Sequence, residues 1–287
     1  MSIRVAPQAD LASAWLATAL AVQQHGGRAA HVLTTLTAPT TEEHPGIRAV
    51  IDDALQDMHR GGQHIQTVAT VANTIFPAAL YRAALPAWQP GGADLTRALD
   101  EARDELFRRY ARNLPLLRRF DGNRSGTYFQ RMTAWPTPDG FVNQLDERIV
   151  ALRRAREQHH RFANVNDIAL AGPDLDVTPL SIHKPTDRRL RGFPCLVHID
   201  LSVVSGQLLM LAVYRHQYLL TKAYGNMVGL HRLHLFLAQQ TGYPPGELCV
   251  QATFADLETT GAAWGARRAR NVLQRAQHAS AQLAVTA

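Results

Sequence analysis

The stretch Phe193-Pro-Cys195-Leu-Val-His-Ile-Asp-Leu-Ser-Val-Val-Ser205-Gly206-Gln-Leu-Leu-Met-Leu-Ala-Val-Tyr-Arg215 decides how this chain folds. Two apolar, alternating runs flank a Ser205-Gly206 turn, which predicts antiparallel strands at about 195–203 and 207–214. Twenty residues separate Cys195 from Arg215, yet a hairpin of this kind brings the two side by side. A thiol is a strong nucleophile only as thiolate, and a neighbouring guanidinium favours that form. The expectation is covalent catalysis by Cys195 on an anionic substrate. Taken alone, a cysteine in a strand is more often a buried, inert side chain.

Downstream of the hairpin, residues 226–240 read as an apolar helix ending at Gly242, and its Met227, Leu230, Leu233 and Leu237 spacing is that of core packing. Gly246 to Thr253 reads as a last strand and 260–284 as a C-terminal helix. Upstream, 171–194 is rich in Pro, Gly and Asp and reads as a long loop. Residues 142–157 and 94–112 form amphipathic helices, the second with Leu95, Leu99, Leu106 and Tyr110 near one face. Asp121 to Gly126 and Trp88 to Gly92 read as loops. Residues 64–82 read as helical with Pro77 as a start or kink, and 46–60 as a helix stopped by Gly61-Gly62. Val32 to Thr37 reads as a short strand, and 8–24 as a helix stopped at Gly26-Gly27. The whole predicts a single mixed α+β domain around a mainly buried sheet, with no internal repeat.

With 287 residues and 46% hydrophobic content the chain can bury a substantial core. No run approaches the roughly 20 apolar residues of a membrane span, and no basic segment leads into an apolar core at the start. Membrane association and a secretory signal are therefore not expected. Cys195 and Cys249 are too few for a disulfide framework, so a reduced, cytoplasmic setting is expected. There is no CxxC or HExxH spacing, and no metal is expected. The net charge of +6 comes almost wholly from arginine, Lys184 and Lys222 being the only lysines. One reading is plain compositional bias. The other is affinity for phosphate or carboxylate, which arginine grips bidentately. No basic tail, helix-turn-helix or aromatic RNA motif accompanies the charge, so nucleic acid is not an expected partner.

Six motifs, in order along 125–258, resemble those of the thymidylate synthase family. Tyr128-Phe-Gln-Arg-Met-Thr-Ala-Trp135-Pro-Thr-Pro-Asp-Gly140 resembles the segment that brings an active-site tyrosine and continues into W-P-T-P-D-G. Asn143-Gln144-Leu145 resembles the Asp-Gln-Ile/Leu that opens a helix, and Phe193-Pro194-Cys195 the Pro-Cys-His of the nucleophile. Val213-Tyr214-Arg215 resembles the strand end that grips phosphate. Asn226 falls on the pyrimidine-reading asparagine, and Gly246-Glu247-Leu248 on the entry to the last strand. Residues 1–120 match only as a loose series of helices, so the resemblance makes 1–120 a divergent part and 121–260 the core.

The departures are as informative. Leu196 stands where the family has His, and Tyr218 where it has a folate-contacting Asp. Asp256-Leu-Glu258 stands on the sugar-holding His-x-Tyr. The early Arg-Thr-Gly-Thr phosphate loop is missing, with Gly26-Gly27-Arg28 in a comparable place, and the proton-relaying Glu has no match around Asn73-Thr74. The arginine pair donated across the family's dimer is reduced to Arg161, after His159-His160.

The resemblance implies a back-to-back homodimer acting on a pyrimidine nucleotide or a related small molecule. It also implies 5,10-methylenetetrahydrofolate as one-carbon donor and a thiolate from Cys195 adding to C6 so that C5 becomes nucleophilic. In that scheme Asn226 offers donor and acceptor to the imide edge, Tyr128 places a water or removes the C5 proton, and Arg215 and Arg161 bind phosphate. Asp256 and Glu258 are candidates to accept hydrogen bonds from substrate hydroxyls or to meet a cationic group. Simpler readings stand beside these: Tyr128 as core, Asn226 as a helix N-cap, and Asp256/Glu258 as a solvated loop. Methyl or hydroxymethyl transfer is one function class. A non-catalytic paralogue that keeps the fold and the dimer is the other.

Overall fold

The computed structural model describes residues 2–41, 43–81, 93–120, 123–158, 180–182, 194–260 and 264–284. The helices are α1 (Leu11–Gln24), α2 (Pro45–Arg60), α3 (Val68–Ile75), α4 (Ala93–Leu117), α5 (Tyr128–Thr133), α6 (Gln144–Glu157), α7 (Tyr224–Thr241) and α8 (Gly265–Ala284). The strands are β1 (Ser2–Arg4), β2 (Arg28–Leu36), β3 (Trp135–Thr137), β4 (Gly140–Val142), β5 (Leu180–Ser181), β6 (Leu196–Val204), β7 (Gln207–Tyr214), β8 (Gln217–Tyr218) and β9 (Pro245–Asp256). The expected α+β class holds. One mixed sheet runs in the order β1-β2-β9-β7-β6-β5 with β8 beside β9, and β3 and β4 form a separate hairpin. β1 and β8 run parallel to β2 and β9, whereas β2–β9 and β5–β6 pair antiparallel.

These elements divide between two compact units interleaved along the chain: Met1–Ala72, Ala212–His231 and Glu247–Ala287 in the first, Asn73–Leu211 and Arg232–Gly246 in the second. In the first unit, α1, α2 and α8 pack on one another and α1 lies on β2. Its core holds Trp15, Ile47, Ile51 and Leu273, all at most 1% exposed. The alanines at 12, 14 and 19 on α1 are fully buried, so small side chains let α1 approach its neighbours closely. The second unit is held by an aromatic cluster. Phe76 meets Phe129 at 5.9 Å and Phe236 at 5.0 Å between ring centroids, and Tyr110 meets Phe129 edge-on at 4.6 Å. The Phe76–Phe129 and Tyr110–Phe129 pairs are edge-to-face, an arrangement that adds to the area they bury. No described helix is long and apolar enough to cross a membrane.

The hairpin over 196–204 and 207–214 matches its expectation within a residue. Its turn places Ser205 and Gly206 both at positive φ (52° and 77°), the geometry that a tight two-residue turn requires. The helix expected at 64–82 is shorter. α3 ends at Ile75 and a 3-10 turn follows from Ala78 to Leu80, because proline pushes the residue before it out of helical backbone. The short strand expected at Val32–Thr37 begins earlier, at Arg28, since β9 supplies a paired partner along its length from Asp256 to Leu248. The expected loops at 88–92 and 171–193 lie outside the described residues, apart from 180–182, where β5 pairs with β6.

Candidate active site

Tyr128 is the first residue of α5, and several contacts fix that short helix. Thr127 caps it, its hydroxyl accepting the Gln130 N–H at 3.1 Å and sharing a hydrogen bond with the Tyr110 hydroxyl. Arg131, 6% exposed, donates to the carbonyl of Ile182 at 2.8 Å, and the Gln144 side chain donates to the Arg131 carbonyl at 3.0 Å. Held this way, the buried Tyr128 hydroxyl accepts the backbone N–H groups of Cys195 at 3.2 Å and Leu196 at 3.4 Å. Cys195 is half-buried and immediately precedes β6. Burial first, then the nearby negative charge of a Cys195 thiolate, push the Tyr128 pKa up to about 12, against the two N–H bonds and Arg131, which lower it. Tyr128 therefore keeps its proton through the neutral range. Of the two roles expected for it, placing a water suits a retained proton better than removing one.

The other expected site residues, Arg161 apart, lie in the first unit. Arg215 directly follows β7 and is half-buried. Asn226 is 6% exposed and is the third residue of α7, so the simpler reading of it as an N-cap does not hold. A π-helical turn, Leu219–Ala223, leads into α7. The indole of Trp15 donates to the carbonyl of Leu219 at 2.7 Å, inside the core. Asn226 follows Gly225, where a Cβ would stand 2.6 Å from Val71 Cβ and 3.0 Å from the Val68 carbonyl oxygen. α7 thus touches α3 at this glycine with no room for a side chain.

Asp256 and Glu258 do not form a solvated loop. Asp256 is 7% exposed, and its carboxylate takes the Arg28 Nε at 3.1 Å and the Glu258 N–H at 2.6 Å. Arg28 sits opposite Asp256 in the β2–β9 register and also donates to the Thr260 hydroxyl at 2.5 Å. Glu258 stands at φ 60°, left-handed backbone that side chains rarely adopt. Its carboxylate accepts the N–H groups of Leu220 at 2.9 Å and Thr221 at 2.8 Å, as well as the Thr221 hydroxyl. Burial raises the Glu258 pKa, and the bonds from Thr221 and Leu220 act against that rise.

Gly26-Gly27 is a helix stop. The two N–H groups bond back to the carbonyls of Gln23 and Val22, at 3.1 and 3.0 Å, so they close α1 in place of a phosphate loop. Tyr218 is 42% exposed, in a ring cluster with His216 at 4.4 Å, and His216 lies 5.2 Å from Phe254. Asn73 is exposed on α3. Arg161, with His159 and His160, lies outside the described residues. Neither Cys195 nor Cys249 is in a disulfide, and Cys249 pairs with the Thr35 hydroxyl at 3.5 Å.

The inventory of candidates from sequence lacked Thr127, Trp15, Thr221 and Trp264, which carry the surroundings of Tyr128 and Asn226. Only Thr127 left a signal, a threonine just before a short helix. Compared with known proteins, the chain matches no family model and no curated protein sequence.

Proposed function

We propose that this protein is a thymidylate synthase-like one-carbon transferase, placing a methyl or hydroxymethyl group on C5 of a pyrimidine nucleotide or analogue. The observation that carries this reading is the bond from the Cys195 N–H to the Tyr128 hydroxyl. It joins two of the six ordered motifs across 67 residues of sequence, at the candidate nucleophile itself. In the reaction, the Cys195 thiolate adds to C6 and the electron pair of the C5–C6 bond moves to C5 and the C4 carbonyl. Asn226 donates to that carbonyl as charge develops on it. The donor would supply the one-carbon unit to C5, with its own nitrogen as leaving group and, for a methyl product, a hydride; Tyr128, protonated, orients the water that then takes up the C5 proton. Arg215 binds the phosphate, and a second copy of the chain completes the homodimer. Expulsion of the thiolate then restores the C5–C6 double bond.

The donor in this reading is 5,10-methylenetetrahydrofolate. Tyr218 does not supply the acidic partner that the resemblance assigns to the folate, so the donor stands on the resemblance alone. The internal commitments of Asp256 and Glu258 favour a second reading, a non-catalytic paralogue with a binding role. Release of tritium from C5-labelled UMP, dUMP, CMP and dCMP, with and without methylenetetrahydrofolate, separates the two. Release that disappears in Cys195→Ser supports transfer. No release from any of the four supports the second reading.

A further inference from the structure

We propose that Glu258 is a positioning residue, whose carboxylate anchors the π-helical turn Leu219–Ala223 and so sets where Asn226 stands at the start of α7. The inference rests on the proposed role of Asn226. A helix start leaves its first N–H groups without helical acceptors, and its partial positive charge favours a carboxylate. At Leu220 and Thr221 the Glu258 carboxylate supplies that acceptor, one oxygen taking both N–H groups and the other the Thr221 hydroxyl. π-helical turns are uncommon and need outside support, and they occur often at functional sites.

The support here comes from several sides. Trp15 donates to the Leu219 carbonyl at 2.7 Å, and Lys222 Nζ donates to Gln66 Oε1 at 2.5 Å. Trp264 Nε1 donates to the Thr221 hydroxyl at 2.9 Å. Glu258 is itself fixed. Its left-handed backbone is held by the bond from its own N–H to Asp256, and Asp256 is held by Arg28. A chain of bonds therefore runs from Arg28 through Asp256 and Glu258 to the turn, and three residues beyond that turn lies Asn226. Glutamate suits the task because one side chain must accept three hydrogen bonds from two consecutive residues.

The test uses the full chain labelled with 15N-asparagine for NMR, together with amide hydrogen exchange. Glu258→Ala should lower exchange protection at Leu220 and Thr221 by roughly tenfold or more, the factor that a charge-assisted hydrogen bond carries. It should also move the side-chain amide signals of Asn226 while those of Asn143 stay in place. Glu258→Gln, whose carbonyl oxygen still accepts from the turn, should retain both properties. Unchanged protection in Glu258→Ala, or unmoved Asn226 signals, overturns the proposal. In tritium release, Glu258→Ala should lower kcat with KM little changed. A raised KM with kcat intact would assign Glu258 to direct substrate binding and overturn it as well. If the wild-type chain releases no tritium, the proposed function fails, while exchange and NMR still decide the anchor. Should Glu258→Ala fail to fold, Thr221→Val removes the hydroxyl between Glu258 and Trp264 and carries the same readouts.

Discussion

Replacing Gly225 by alanine tests whether the close approach of α7 to α3 is what the fold depends on beside Asn226. On helix propensity alone the change should stabilise α7 by about 1 kcal/mol. Packing opposes it. The new Cβ would lie 2.6 Å from Val71 Cβ, 2.9 Å from Val71 Cγ1 and 3.0 Å from the Val68 carbonyl oxygen. Carbon atoms pack best at about 3.5–4.0 Å, so the two helices must part by roughly 1 Å. Two of the three obstacles, the Val71 Cβ and the Val68 oxygen, cannot rotate away. Overpacking of this kind costs about 1–3 kcal/mol, and the rigid contacts place this site at the upper end, for a net loss of about 2 kcal/mol. That corresponds to a fall in Tm of roughly 4–8 °C for a chain of this size, read by calorimetry at fixed protein concentration. Val71→Ala in the same chain should restore little, since only the Cγ1 contact is relieved. On the role proposed for Asn226, activity should fall further than stability, because an error of about 1 Å in a catalytic side chain costs on the order of a hundredfold in rate. A Gly225→Ala protein that melts at or above the wild-type temperature would refute the reasoning.

Cys195 should be labelled by iodoacetamide faster than Cys249 near neutral pH, and Cys195→Ser should abolish turnover while leaving the folded spectrum intact. Equal labelling of the two would remove Cys195 as nucleophile. Arg215→Lys keeps the charge but loses the planar fork, so calorimetric nucleotide binding should weaken by roughly 1–3 kcal/mol, and unchanged affinity in Arg215→Ala would rule out the phosphate role. Tyr128→Phe leaves two backbone N–H groups without their acceptor and should cost about 1–3 kcal/mol in urea denaturation. With its pKa pushed up to about 12, Tyr128 should show no ionisation below pH ~10 in ultraviolet titration, and a Tyr128-dependent change near neutrality would contradict this. Because the Glu258 pKa is raised on folding, its contribution to stability is full below the ordinary carboxylate value and is lost as pH rises through the folded value. Glu258→Gln should lack that slope when urea midpoints are compared across acid and neutral pH, and parallel profiles for the two proteins would count against the assignment.

Local pattern was enough to determine much of this chain. The 196–204/207–214 hairpin, α1, α2, α6 and the long α8 could all be read from alternation, 3.6-residue periodicity and glycine stops, since each is a preference of neighbouring residues. The order of Tyr128, Cys195, Arg215 and Asn226 along the chain is likewise a property of the sequence. Tertiary structure alone decided the elements that exist by pairing or by side-chain anchoring. β1 has three residues and forms by pairing with β2, and β8 has two and forms along β9. The π-helical turn before α7 is held by Trp15, Gln66, Glu258 and Trp264, each far from it in sequence. The sequence leaves Asp256 and Glu258 open between substrate contacts and a solvated loop, because it shows carboxylates without their partners; the structure removes the solvated loop. Arg28, 228 residues before Asp256, becomes that partner only through the β2–β9 register. A charge's role is set by what lies within a few ångströms of it, and long-range pairing, which no local pattern encodes, sets those neighbours.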